Sequence, residues 1–204
     1  MRQEIEPLLP RRHIAYLTRE IDDGGRDKTD RDCSNDPYGC IYLSKGLIPE
    51  RYEKAADDQF WEHDFGFLVG PSLSPVLRRT ISPMGISFEK VNFGLSTHLF
   101  GYPFDRDPFF MTSEGRLDES PYGDGGYFVA CSGLKPGSSG GPWSQTLSSD
   151  GQIVLTSVTS WGEGPNKPGS GGPRFDITDA ACVYNAAVQE VVNGNEAKSE
   201  VVRC

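Results

Sequence analysis

The stretch Gly133–Trp143, GLKPGSSGGPW, sets glycines at 133, 137, 140 and 141 around the pair Ser138 and Ser139 and ends on Pro142 and Trp143. Two readings compete: a polar glycine-serine linker, or a tight turn that offers one hydroxyl to a carbonyl carbon. Attack by a serine needs the hydroxyl exposed on the turn and backbone N–H groups converging where the carbonyl oxygen becomes an oxyanion. A glycine two residues before Ser139 lets the chain fold back so that the N–H groups of Gly137 and Ser139 converge, while Gly140 and Gly141 leave room for a substrate. Each donor of such a hole contributes roughly 2.7–4 kcal/mol in the transition state. The sequence carries its own control in KPGSGGP, 167–173, where the residue two before Ser170 is Pro168, which has no N–H to offer. Ser170 therefore reads as a surface turn and Ser139 as the nucleophile.

Two further motifs stand in a definite order around that turn. Downstream, QIVLTSVTSWGEG, 152–164, is a β run that ends in Ser160, Trp161 and Gly162. Upstream, FWEHDFGFLVG places Asp64 directly before an apolar strand. An acid that orients a catalytic imidazole must be buried and must accept a hydrogen bond from Nδ1–H. Read alone, Asp64 is a polar turn residue opening a strand and Trp161 is a core plug. Taken together and in this order, G-x-S-G-G-P, the Asp64 strand and S-W-G resemble the chymotrypsin/trypsin superfamily of serine proteases. The stretches YLSKGLIPERY, HDFGFLVG, HLFGYPFDRD, ACSGLKPGSSGGPW and GPRFDITDAACVYNAA resemble the secreted glutamyl-endopeptidase-like microbial members. The resemblance runs from about residue 36 to 187.

That resemblance implies an all-β, chymotrypsin-like fold of two six-stranded β-barrels with a C-terminal helix, and a serine endopeptidase acting through an acyl-enzyme. Ser139 is then the nucleophile, Asp64 the acid and the N–H groups of Gly137 and Ser139 the oxyanion hole. Thr159, Ser160, Trp161 and Gly162, with Gly133, line the substrate site. Proteins or peptides are the substrates; no metal or organic cofactor is needed, the chain acts as a monomer, and it is secreted. Two positions depart from better-known specificities. Gly133 holds no acid where trypsins carry one, and Thr159 stands where glutamyl endopeptidases carry a histidine.

The general base is the difficult residue, because no A-A-H-C-like segment occurs. His98, in STHLFGYP, alternates within a strand and reads as structural. His63 abuts Asp64, and on a strand the two side chains would face opposite ways. His13, in PRRHIAYL, has the order and separation of the catalytic histidine, but two flanking arginines depress an imidazole pKa. Two readings stay open: His13 is the base, or it is a surface histidine and the chain lacks its true beginning. With the second goes an alternative function, an inactive or truncated homologue that binds proteins without cutting them.

Composition limits the rest. The 204 residues are 36% apolar with a net charge of −9, which excludes a general nucleic-acid binder, and no apolar run is long enough for a membrane span or a signal peptide. Glycine at 24 and proline at 15 make turns frequent. Strands are expected in CIYLS, FGFLVG, ISFEKVNFG, STHLFGYP, FMTSEGRL, YFVACSG and QIVLTSVTSW. A helix is expected over 178–192, capped by Thr178 or Asp179, with Ala181, Tyr184, Val188 and Val191 inward. The segment 70–85 reads as the linker between a partial first barrel, 1–80, carrying Asp64, and a complete second barrel, 81–204, carrying Ser139. Residues 18–36 read as a solvated loop, and the five cysteines allow Cys33–Cys40 and Cys131–Cys182 bridges with one thiol left over.

Overall fold

Alternating burial along short strands organises the chain. In the computed structural model, which describes residues 45–55, 60–70, 83–106, 109–123, 125–146, 151–162, 168–193 and 200–204, the strand Ser96–Gly101 buries Thr97, Leu99 and Gly101 and exposes Ser96 and His98. His13, Cys33, Cys40, the CIYLS strand and most of the 70–85 linker lie outside those residues. The elements are β1 Lys45–Pro49, α1 Glu50–Lys54, β2 Phe67–Val69, β3 Gly85–Ile86, β4 Ser96–Gly101, β5 Met111–Glu119, β6 Tyr127–Ala130, β7 Pro142–Thr146, β8 Ile153–Val158, β9 Gly169–Gly172, α2 Ala180–Asn193 and β10 Glu200–Val202.

Seven strands form one sheet in the order β3-β8-β7-β4-β5-β6-β9, antiparallel throughout except for the parallel β3–β8 pair. The sheet then meets itself. Beyond β8, the N–H groups of Ser160 and Trp161 donate to the carbonyl of Gly171 in β9 at 2.9 and 3.2 Å, and the Gly171 N–H returns to Trp161 O at 2.9 Å. Closure removes the open edges that β8 and β9 would otherwise present and leaves a six-stranded barrel with β3 appended. Its interior packs Val91, Leu99, Leu117, Tyr127, Val129, Leu134 and Trp143.

A second, three-stranded sheet runs β10-β1-β2. Its core joins Leu47, Phe65, Phe67 and Val69 to Leu155, Val158, Phe175 and the inner face of α2. Phe65 and Phe175 meet edge to face at 5.5 Å, a geometry that adds to plain area burial. The architecture is therefore all-β with one C-terminal helix, a closed second barrel and, among the described residues, only part of a first.

Several sequence expectations are corrected by packing. The strand β7 was hidden inside the serine-turn motif; its Gln145 is buried and donates from Nε2 to Thr97 Oγ1 at 2.7 Å. The strand β9 consists of glycines and Ser170, so propensity gave no signal for it. Ser170 is not a surface turn: it is wholly buried and its Oγ lies 2.6 Å from Ser132 Oγ. Glycine is required there by crowding, since a Cβ on Gly171 would sit 2.0 Å from Trp161 Cε2. In α2 the inward residues are Ala180, Val183 and Ala187, one position from the expected face. Tyr184 lies at the margin against Phe67 and Phe88, while the side chain of Val191 is outside the described set. Thr178 spends its hydroxyl on Arg174 O. Cys182 pairs with Cys204, which follows β10, and Cys131 is free and exposed. Among the described residues no helix is long and apolar enough to cross a membrane.

Candidate active site

The serine turn is held from both flanks. Gly137 and Gly140 adopt left-handed backbone, φ +98° and +75°, which a residue with a Cβ adopts only with strain. Ser138 N–H donates to Lys135 O, Gly141 N–H to Ser138 O, and Phe104 N–H to Pro136 O, at 3.2, 3.0 and 2.9 Å. On the other flank Gly140 N–H donates to Thr159 O and Thr159 N–H to Gly141 O, both at 2.8 Å. Gly101, at the end of β4, lies so close that an added Cβ would meet Ser138 Cβ at 2.6 Å. The consequence separates the two serines: Ser138 is buried beneath the turn and Ser139 is exposed on it. Ser138 Oγ finds no hydrogen-bond partner among the described residues.

Asp64 reaches this neighbourhood from the other sheet. It follows a 3-10 turn, Phe60–His63, and its Oδ2 accepts a hydrogen bond from Ser160 Oγ at 2.6 Å. Burial pushes the Asp64 carboxyl above the usual carboxylate range, and the Ser160 hydroxyl pulls back part of that shift. Ser160 thus does something the sequence did not suggest: it ties the carboxylate before β2 to the segment that closes the barrel. The only sequence signal for it was the S-W-G motif itself, which says nothing about a partner ninety-odd residues upstream.

The other predicted residues fall into distinct places. Trp161 packs its ring on Gly171 and against Phe128 and Tyr122, with centroids 5.8 and 5.5 Å away. Gly162 faces Leu134 O, 3.7 Å from where its Cβ would stand. Gly133 is exposed in left-handed backbone, φ +70°, with open space around it. Thr159 is buried, its Oγ1 accepting from Trp143 Nε1 at 2.9 Å, so its hydroxyl is committed to the barrel interior.

The histidines divide as well. His98 is on the exposed face of β4. His63 is in the 3-10 turn rather than on a strand, so the opposite-faces expectation does not hold. It borders a cavity of about 360 Å³ with Arg51, Lys54, Ala55 and Glu62, and burial holds its pKa below the usual imidazole value. Among the described residues no group of three or more His, Cys, Asp or Glu side chains is placed to hold a metal ion.

A barrel closed at Gly171, a glycine-bounded serine turn and a carboxylate tied to the closing segment occur together here, and the fold is the chymotrypsin-like fold of serine proteases of known structure. Within that fold it is similar to trypsin-like members of known structure. The protease Anisep from Arthrobacter nicotinovorans is 28% identical, with a TM-score of 0.60 over 75% of this chain and 69% of that one. The thermostable serine protease AL20 from an extremophilic microorganism is 23% identical, TM-score 0.61, over 78% and 72%. A Glu endopeptidase is 18% identical, TM-score 0.58, over 77% and 68%. No family model and no curated protein matches the sequence.

Proposed function

We propose that the chain is a serine endopeptidase in which Ser139, Asp64 and His13 form the catalytic triad. The carrying observation is the Ser160–Asp64 hydrogen bond, which anchors a half-buried carboxylate to the segment beside the exposed Ser139 turn. Ser139 Oγ attacks the scissile carbonyl carbon as the imidazole takes its proton. Asp64 orients that imidazole and balances its positive charge. The N–H groups of Gly137 and Ser139 hold the oxyanion, the imidazolium protonates the leaving amine, and water then cleaves the acyl-enzyme by the same steps in reverse. Ser160, Trp161 and Gly162 receive the acyl side of the peptide, with Gly133 and the buried Thr159 completing that flank. Residues 1–80 are the partial first barrel carrying Asp64, and 81–204 the second carrying Ser139.

The substrates are proteins or peptides, and the monomer works without metal or organic cofactor. The Cys182–Cys204 disulfide supports an oxidising, extracellular setting. A fluorophosphonate probe tests the triad. Labelling lost in both Ser139→Ala and His13→Ala, with peptide hydrolysis down by about 10⁴–10⁶, is the expected outcome. Labelling that survives His13→Ala removes His13 from the triad. A chain that takes no label is the protein-binding homologue instead.

A further inference from the structure

The β4–β5 connection, GYPFDRDPFF, exposes four aromatic rings: Tyr102 at 37%, Phe104 at 62%, Phe109 at 69% and Phe110 at 50%. Single exposed apolar side chains are ordinary, but these four stand on one short connection, and two of them meet. Phe110 stacks on Phe100 with centroids 5.8 Å apart and planes 12° from parallel, and Tyr102 meets Phe110 at 5.1 Å. The patch begins at the serine turn itself. Phe104 N–H donates to Pro136 O, and a Cβ on Gly137 would meet Phe104 Cδ1 at 3.0 Å and Tyr102 O at 2.9 Å.

The turn therefore has two flanks of different character. On one, Gly140 and Gly141 are bonded to Thr159, at the start of the segment Ser160–Gly162. On the other stand Gly137, Tyr102 and Phe104. A peptide that crosses Ser139 with its acyl side on Ser160–Gly162 leaves the turn over Gly137 and onto the aromatic rings. At about 3.3 Å per extended residue, the first two or three residues past the scissile bond span the patch.

We propose that Tyr102, Phe104, Phe109 and Phe110 form the subsite for the leaving-group side of the substrate, so that the enzyme cuts polypeptides one or two residues ahead of a Phe, Tyr, Trp or Leu. This rests on the catalytic reading of Ser139. Apolar rings gain from covering another apolar side chain, and offset or edge-on ring pairs add direction to that gain. A charged or small polar residue at the same position gains neither. Covering about half of a large apolar side chain corresponds to roughly a tenfold preference.

The test has two arms. A denatured protein mixture is digested and the new N-termini are read by mass spectrometry; enrichment of Phe, Tyr, Trp and Leu at the first or second position after the cut, reduced at least threefold in Phe104→Ser and in Phe109→Ser, is expected. Both rings are mostly exposed, and thermal melting of each variant shows that it folds. The second arm needs no catalysis: fluorescence anisotropy compares labelled Ala-Ala-Ala-Phe-Leu-Ala with Ala-Ala-Ala-Ser-Ser-Ala on the Ser139→Ala protein. About tenfold tighter binding of the first, lost in the Phe109→Ser background, is expected. Fluorophosphonate labelling reports separately on Ser139, so a failed nucleophile and a failed subsite give different results. Equal affinities, an unchanged cleavage pattern in the variants, or a sedimenting dimer that Phe104→Ser dissolves would each overturn the proposal, the last by assigning the patch to a second copy of the chain.

Discussion

Replacing Ser160 by alanine would show how strongly the carboxylate depends on the Ser160 hydroxyl. The Ser160 Oγ to Asp64 Oδ2 bond is short, 2.6 Å, and it favours the charged form of its acceptor. Bonds to charged groups contribute about 1.5–3 kcal/mol, neutral ones about 0.5–1.5. Ser160→Ala should therefore cost about 2 kcal/mol at pH 8. In an Asp64→Asn background, where the acceptor is a neutral amide, the same change should cost about 1 kcal/mol, leaving a coupling of about 1 kcal/mol.

The pH dependence follows in sign. Burial raises the Asp64 pKa above its unfolded value, so across that interval the folded state binds more protons than the unfolded one. The contribution of Asp64 to stability is then greatest below the unfolded pKa and falls as pH rises to the folded pKa. The Ser160 bond favours the charged form, so removing it raises that pKa further, widens the interval and enlarges the loss above it. Urea unfolding of the four proteins at pH 8 and at pH 4 measures all of this. The gap between wild type and Ser160→Ala should narrow at the lower pH. A coupling indistinguishable from zero at pH 8, or a gap that widens on acidification, would refute the reasoning and with it the view that Ser160 holds the Asp64 carboxylate.

Two other changes probe the frame of the site. Gly171→Ala places a Cβ 2.0 Å from Trp161 Cε2 at the point where the barrel closes, and should destabilise by about 3 kcal/mol or more while broadening the near-ultraviolet tryptophan signal; a melting temperature within a degree or two of wild type would show that the closure is looser than described. Cys182→Ser opens the bridge to Cys204 across 22 residues, for which chain entropy predicts a loss of roughly 3 kcal/mol, read as a lower urea midpoint under non-reducing conditions that equals wild type measured with reductant.

Local chemistry explains what was legible before folding. A turn that must take positive φ at 137 and 140 leaves glycine as its record, so the position of the turn, and the choice of Ser139 over Ser138 as the exposed hydroxyl, could be read from eleven residues. Strands with β-branched and aromatic alternation, such as β4 and β6, were legible for the same reason. Ser170 was misread because its S-G-G-P motif is locally a turn, whereas β9 is a strand only by virtue of its neighbours: glycine there makes room for Trp161 and for the backbone of Val158. The face of α2 slipped by one residue because apolar periodicity cannot distinguish a helix that sits on alanines from one that sits on a tyrosine. His13, the residue on which the proposed triad turns, lies outside the described residues.

What the sequence determined by itself is the order of the chemical parts, an acid ahead of a serine turn ahead of S-W-G, because each is written in contiguous residues whose backbone demands are local. Tertiary structure alone decided that Ser160 holds Asp64, that Ser170 is interior, that Cys182 meets Cys204, and that the Phe104 ring borders the serine turn. Each of those depends on which distant segments share a hydrogen bond or a van der Waals contact once the sheet has closed, and no local pattern encodes that.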